Sequence, residues 1–129
     1  MIYLLVFVAG GAGAVARYLI DSLFKRLWHG SMPVGTFFLN LTGSFLLGVL
    51  TGWLAGPIPP AESFVITENI TLVVGVGFLG GYTTFSSALL EAAQAPARRE
   101  VLVLTLGQLL ATSLAAAGGL GLGGLFSGA

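Results

Sequence analysis

Charge is what this chain has least of. Only 8% of its 129 residues are Asp, Glu, Lys or Arg, against about 25% in a soluble domain. So few charges cannot cover a water-facing surface, and with 56% hydrophobic residues the chain reads as an integral membrane protein. Cysteine is absent, which excludes a disulfide framework and thiol chemistry. Histidine occurs once, as His29 in a link, and no nucleophile–base pair is visible, so an enzyme is not expected. A formal net charge of +0 offers no basic surface for nucleic acid. Met1-Ile2-Tyr3-Leu4-Leu5 carries no basic n-region and no small-residue cleavage site follows a short apolar core. No cleaved signal peptide is expected.

Apolar runs long enough to cross a bilayer, about 20 residues, occur four times. They cover residues 2–20, 33–55, 67–93 and 101–126. Asp21, Lys25, Arg26 and His29 mark the first link; Gly56-Pro57-Ile58-Pro59-Pro60 marks the second and cannot be helical. Ala95-Pro96-Ala97-Arg98-Arg99-Glu100 marks the third. Pro33 suits a first helical turn. The expectation is an all-α membrane protein, one four-helix domain over residues 1–129 with both termini on one side. Glycine supplies 20 of the 129 residues, more than twice the usual ~7%, which in a membrane points to closely approaching helices.

The charges are unevenly placed. Lys25, Arg26, Arg98 and Arg99 share the side of the first and third links, while the side with the termini and second link holds Glu62 and Glu68 and no basic residue. By the positive-inside rule the basic side faces the cytoplasm.

Gly80-Gly81-Tyr82-Thr83-Thr84-Phe85-Ser86-Ser87 interrupts the third run. Adjacent glycines and hydroxyl residues weaken a helix where freed carbonyls find no water. Irregular backbone at that depth persists only where it is buried in protein, lines a water-filled path or holds an ion. The third helix is therefore expected to be broken mid-membrane, and the break to be functional.

Other motifs divide between packing and chemistry. Gly11-Ala12-Gly13-Ala14-Val15-Ala16 fits a relaxed dinucleotide fingerprint, but no βαβ unit surrounds it and no acidic residue follows at the required distance, so it reads as helix packing. Gly48 and Gly52 read likewise. Arg17, near the end of the first run, suits either a snorkelling interfacial side chain or an anion-attracting vestibule. Thr36, Asn40 and Ser44 recur at i, i+4 and i+8 on one helical face, as an interhelical bonding group or a pathway wall. Phe85 beside the break suits lipid or core, or an electropositive ring edge turned to an anion. Thr105, Gln108, Thr112 and Ser113 share a side of the fourth run, though such hydroxyls commonly bond their own backbone. No carboxylate lies in the central part of any run; Glu91 is near an end. Proton- or cation-coupled transport usually needs one there, so an anion or a neutral solute is favoured. A small multidrug-type exporter would need an acid in the first helix, and Met1 to Ile20 contain none.

Gly10-Gly11-Ala12-Gly13-Ala14-Val15-Ala16-Arg17-Tyr18, Gly35-Thr36 with Asn40 and Gly43, and Gly77-Phe78-Leu79-Gly80-Gly81-Tyr82-Thr83-Thr84-Phe85-Ser86 together resemble the Fluc (CrcB) fluoride channels. The resemblance covers three of the four helices in order; the fourth matches in character. It implies a passive fluoride exporter of the cell (inner) membrane, assembled as an antiparallel dimer around a structural sodium ion that is not transported. It implies sodium on the backbone carbonyls of Gly80 and Thr83. A fluoride track would use Asn40, Phe85 and Arg17, with Thr36, Ser44, Thr84, Ser86, Thr112 and Ser113 as its polar lining.

This sequence departs from the family twice. The family pattern carries a second Phe three residues after the first, where this chain has Ala88. The basic residues number four on one side and none on the other, whereas a homodimer of opposed chains needs both orientations. The partner is then either a second copy or an oppositely inserted homologous subunit, and the alternative to a conducting chain is a non-conducting or obligate-partner subunit of a heterodimeric fluoride channel.

Overall fold

The computed structural model describes residues 1–28, 34–56, 61–95 and 98–127. The expectations for His29, Pro33, Pro57 to Pro60, Pro96 and Ala97 lie outside these. Helix α1 spans Ile2–Leu27, α2 Val34–Leu54 and α3 Ala61–Ile70. A π-helical segment, Thr71–Leu79, continues into the short α4, Gly80–Tyr82; α5 covers Phe85–Ala93 and α6 Arg98–Ser127. The described residues contain no strand. Ile2–Leu27, Val34–Leu54, Val65–Ala93 and Arg98–Ser127 are each long and apolar enough to cross a membrane. The chain is a multi-pass membrane protein.

Three helices outrun their apolar stretches. Helix α1 runs to Leu27 rather than residue 20, so Asp21, Lys25 and Arg26 are helical. Asp21 and Lys25 stand at i and i+4 and form an ion pair there, which supports the last turns as they leave the apolar zone. The third span begins at Ala61, including Glu62 and Glu68 in helix, and α6 begins at Arg98, with Glu100 in its first turn. Hydropathy marks the length in lipid, whereas the helix ends where its hydrogen-bond ladder ends.

Glycine determines which helices touch. Helix α2 packs most extensively on α6, and α1 on the π segment and α4. A methyl group at Gly48 would collide with the Ala116 carbonyl of α6, and one at Gly52 with that of Leu120. Conversely, a methyl at Gly119 would meet the Phe45 carbonyl and one at Gly123 that of Val49. Positions rise together along both helices, so α2 and α6 run parallel, glycine against backbone from each side. The second seam repeats this: Gly13 lies against the Phe78 carbonyl, Gly77 against Val6 and Gly81 against Gly10. Gly13 rather than Gly11 makes the contact that the small-residue motif foretold; Gly11 has nothing within 4 Å. Such contacts let dispersion and weak Cα–H···O bonds hold helices where lipid supplies no hydrophobic drive.

Between the seams, Gly35 of α2 lies against Asp21 and Phe24 of α1, and the Phe24 and Phe38 rings sit 5.0 Å apart. This contact and the parallel α2–α6 pair bring the C-terminus of α1 and the N-terminus of α6 to one end. Lys25, Arg26, Arg98 and Arg99 therefore cluster there.

Replacing Gly52 by Val should cost about 1–3 kcal/mol or more, because a backbone carbonyl cannot move aside as a side chain can. Gly118→Ala, whose methyl would meet nothing within 4 Å, should be neutral. Unfolding of the detergent-solubilised chain, followed by tryptophan fluorescence, separates the two.

Candidate functional site: a helix break clamped by Asn40

The third span breaks at Thr83 and Thr84. Tyr82 ends α4, and both threonines are extended, with φ −83, ψ 159 at Thr83 and φ −151, ψ 118 at Thr84. The approach is already loosened: the Gly80 N–H reaches the carbonyl of Gly75, five residues back, the wider π-helical turn common at functional sites. Gly43 of α2 leaves room for the break, since a methyl there would collide with Thr83 Cγ2 and crowd the Tyr82 ring.

Asn40 closes the hydrogen-bonding account. Its Nδ2 donates to the Thr84 carbonyl at 2.8 Å, and its Oδ1 accepts from the Thr84 N–H at 2.8 Å. Asn40 is 7% exposed and Thr84 8%. One carboxamide thus replaces, for Thr84, the ladder that the break removes, and only one orientation of the amide satisfies both partners. The second Nδ2 hydrogen remains for another acceptor. Thr84 in turn caps α5, its hydroxyl accepting from the Ser87 N–H at 3.3 Å.

These diversions release carbonyls. In an unbroken helix the Thr84 N–H would bond the Gly80 carbonyl and the Ser87 N–H the Thr83 carbonyl. Here those donors go to Asn40 and to the Thr84 hydroxyl. Gly80 and Thr83, the expected sodium ligands, are thus carbonyls deprived of their helical donors. Hard oxygen dipoles at the C-terminal end of a half-helix fit a small monovalent cation.

Beside the break lies a cavity of about 390 Å³ between α2, the π segment, α5 and α6. Its polar lining comprises Asn40, Ser44, Thr83, Thr84, Thr105, Gln108 and Thr112; Leu47, Leu79, Leu104 and Leu109 are among its apolar walls. Gly80, Phe85 and Ala88 also border it. Seven of the expected residues therefore meet here: Asn40, Ser44, Thr84, Phe85, Thr112, Gly80 and Thr83. Arg17, Thr36, Ser86 and Ser113 are not among its lining residues. Arg17 is half-buried on α1, while Ser86 and Ser113 are exposed. The Thr112 hydroxyl donates to its own helix, at the Gln108 carbonyl, 2.8 Å away, leaving it an acceptor towards the cavity.

Thr36 departs from the expected polar stripe in a different way. It is buried, and its hydroxyl donates to Glu91 Oε1 at 2.7 Å. The other carboxyl oxygen, Oε2, is buried with no hydrogen-bond partner among the described residues. Glu91 was legible only as an acid near a helix end. What the spacing could not reveal is that α5 turns it towards the first turn of α2, where Gly35 lies against Asp21.

The family of the CrcB-like protein, Camphor Resistance (CrcB), matches residues 4–125. The chain belongs to this family. It is 41% identical over 128 residues to "Fluoride-specific ion channel FluC 1" of Leifsonia xyli subsp. xyli, covering 97% of this chain and 88% of that one. It is 39% identical over 126 residues to "Fluoride-specific ion channel FluC 2" of Cutibacterium acnes, covering 95% and 98%. With "Fluoride-specific ion channel FluC" of Rhodopseudomonas palustris (strain ATCC BAA-98 / CGA009) the identity is 45% over 93 residues, 72% of this chain and 70% of that one. A CrcB-like channel fold is a transport class, so the chain is not an enzyme.

The Thr36–Glu91 pair makes a defined stability prediction. Thr36→Val removes the donor and leaves the carboxyl group, so it should destabilise the chain by about 1–3 kcal/mol. The double variant Thr36→Val, Glu91→Leu should recover part of that loss, because no polar group is then stranded. A double-mutant cycle in detergent unfolding measures the coupling.

Proposed function

We propose that this chain forms a fluoride-selective channel that lets cytoplasmic fluoride leave the cell down its gradient. The observation that carries the reading is the mid-membrane break whose Asn40 clamp keeps one amide N–H beside a mostly apolar cavity with a few polar groups. Fluoride is small and tightly hydrated, so a path must replace its water with O–H and N–H donors, and fixed negative charge along the way would repel it. Asn40 supplies an N–H, the Ser44 hydroxyl and the Gln108 amide add further donors, and the edge of the Phe85 ring offers weak positive charge; the Thr84 O–H is held by Ser87 Oγ. Ser86 and Ser113 extend the polar track beyond the cavity, Thr112 forms part of its wall, Thr36 stands one turn from Asn40 with its O–H committed to Glu91, and Arg17 raises the anion concentration at the mouth.

The assembly is an antiparallel dimer in the cell (inner) membrane. Phe85 is 73% exposed on the single chain, and α6 turns Leu110 and Leu114 outward, surfaces that a partner would cover. The Gly80 and Thr83 carbonyls would hold a sodium ion, matched by the same pair from the other chain. A sodium ion there supplies a fixed positive charge beside the anion path and is not transported.

A second reading concerns the partner. Ala88 borders the cavity where the family pattern carries a second ring, and Lys25, Arg26, Arg98 and Arg99 crowd one end. Both features suit a chain of one orientation, with that end cytoplasmic, paired with an oppositely inserted homologous subunit that supplies the ring.

Liposomes containing the purified chain alone should release fluoride rapidly while retaining chloride, followed with ion-selective electrodes. Asn40→Ala should slow fluoride release about 10-fold or more, the loss of one donor. Release only after adding a homologous subunit would establish the mixed dimer. Equal release of fluoride and chloride, or none under either condition, would overturn the channel reading.

A further inference from the structure

We infer that Asn40 is also a positioning residue for the cation site: by holding Thr84 it aims the carbonyl of Thr83. This rests on the sodium reading proposed above and deepens it. The Thr83 carbonyl and the Thr84 N–H belong to one peptide unit, which is planar, and the described residues contain no cis peptide bond. In a trans peptide the oxygen and the hydrogen point to opposite sides. Because the Thr84 N–H is held at 2.8 Å from Asn40 Oδ1, the Thr83 oxygen is directed away from that amide and cannot swing without breaking the bond.

The following peptide is held as well. Asn40 Nδ2 bonds the Thr84 carbonyl at 2.8 Å, so one rigid carboxamide fixes the peptide planes on both sides of Thr84. The Ser87 N–H, the helical donor for the Thr83 carbonyl, is occupied by the Thr84 hydroxyl. The Thr83 oxygen is thus both aimed and left available. Gly80 follows from the same bond, since the Thr84 N–H that would have occupied its carbonyl is taken.

One planar group therefore serves two ions. The Nδ2 hydrogen that remains for an anion lies in the plane that orients the cation ligand. Displacing the amide disturbs both, and a cation that stiffens the Thr83 carbonyl also stiffens the anion donor. The cation site and the anion track are coupled through Asn40.

The test uses the whole purified chain in detergent, with unfolding temperature measured while NaCl replaces KCl at constant ionic strength. The wild-type chain should be stabilised by sodium. Asn40→Ala should raise the half-saturating sodium concentration about tenfold or abolish the response, as expected for loss of one orienting hydrogen bond. A merely structural Asn40 would lower the unfolding temperature equally in both salts. A wild-type sodium response in Asn40→Ala would overturn the inference and leave the sodium site standing. A wild-type chain indifferent to sodium would overturn both.

Discussion

A backbone polar group in the bilayer core has no water to fall back on, and every notable feature of this chain follows from how the break at Thr83 and Thr84 meets that demand. Two extended residues interrupt a ladder that would otherwise satisfy itself. The repair comes from outside the helix, through the reciprocal bonds between the Asn40 carboxamide and Thr84. A side chain 44 positions away in sequence does the work of the missing turn. In doing so it redistributes hydrogen bonding: donors are consumed at the seam, and the Gly80 and Thr83 carbonyls are left without their helical partners. The break is therefore polarised, not merely irregular, and a polarised break is what ion binding requires.

That repair works only if α2 lies close to the break, and glycine decides the distance. Gly43 permits the Thr83 methyl and the Tyr82 ring to lie against α2. The parallel seams of α2 with α6 and of α1 with the π segment and α4 bring backbones into contact. Their close approach leaves the remaining space on the α5 side, where the cavity forms. Packing and site are thus consequences of one small-residue pattern. The π-helical segment belongs to it too: glycine at 75 and 77 makes a widened turn inexpensive in side-chain clashes, and the Gly80 N–H exploits it.

The cavity is mostly apolar with a few convergent polar groups, a composition suited to stripping and replacing an ion's hydration at a small number of points. Phe85 stands at its edge and is largely uncovered, while Ala88 leaves open space beside it. A single chain therefore presents an unfinished wall. On the functional reading above, the second chain completes that wall and adds its own carbonyls to the cation site. The identity of the second chain follows from different physics, the distribution of Lys and Arg relative to the membrane.

Membrane class, the number of spans and the location of the break were legible in the sequence because each depends on local chemistry. A dearth of charge, four apolar runs of membrane length and a Gly-Gly-Tyr-Thr-Thr interruption need no knowledge of neighbours. The set of residues around the break was also largely legible, since Asn40 and Ser44 share a helical face and Thr84 and Phe85 adjoin the interruption. Only the tertiary structure decided their partners. Thr36 lies on the same predicted face as Asn40, yet it bonds Glu91, because α5 restarts after the break in a direction that periodicity does not encode. Ser113 neighbours Thr112 in sequence but points away from the cavity, since adjacent positions on a helix differ by about 100°. Helix ends shifted for a similar reason: an Asp21–Lys25 pair carries α1 beyond its apolar run. Periodicity reports which residues share a face, and it is the approach of a second backbone, allowed here by glycine, that determines what the face meets.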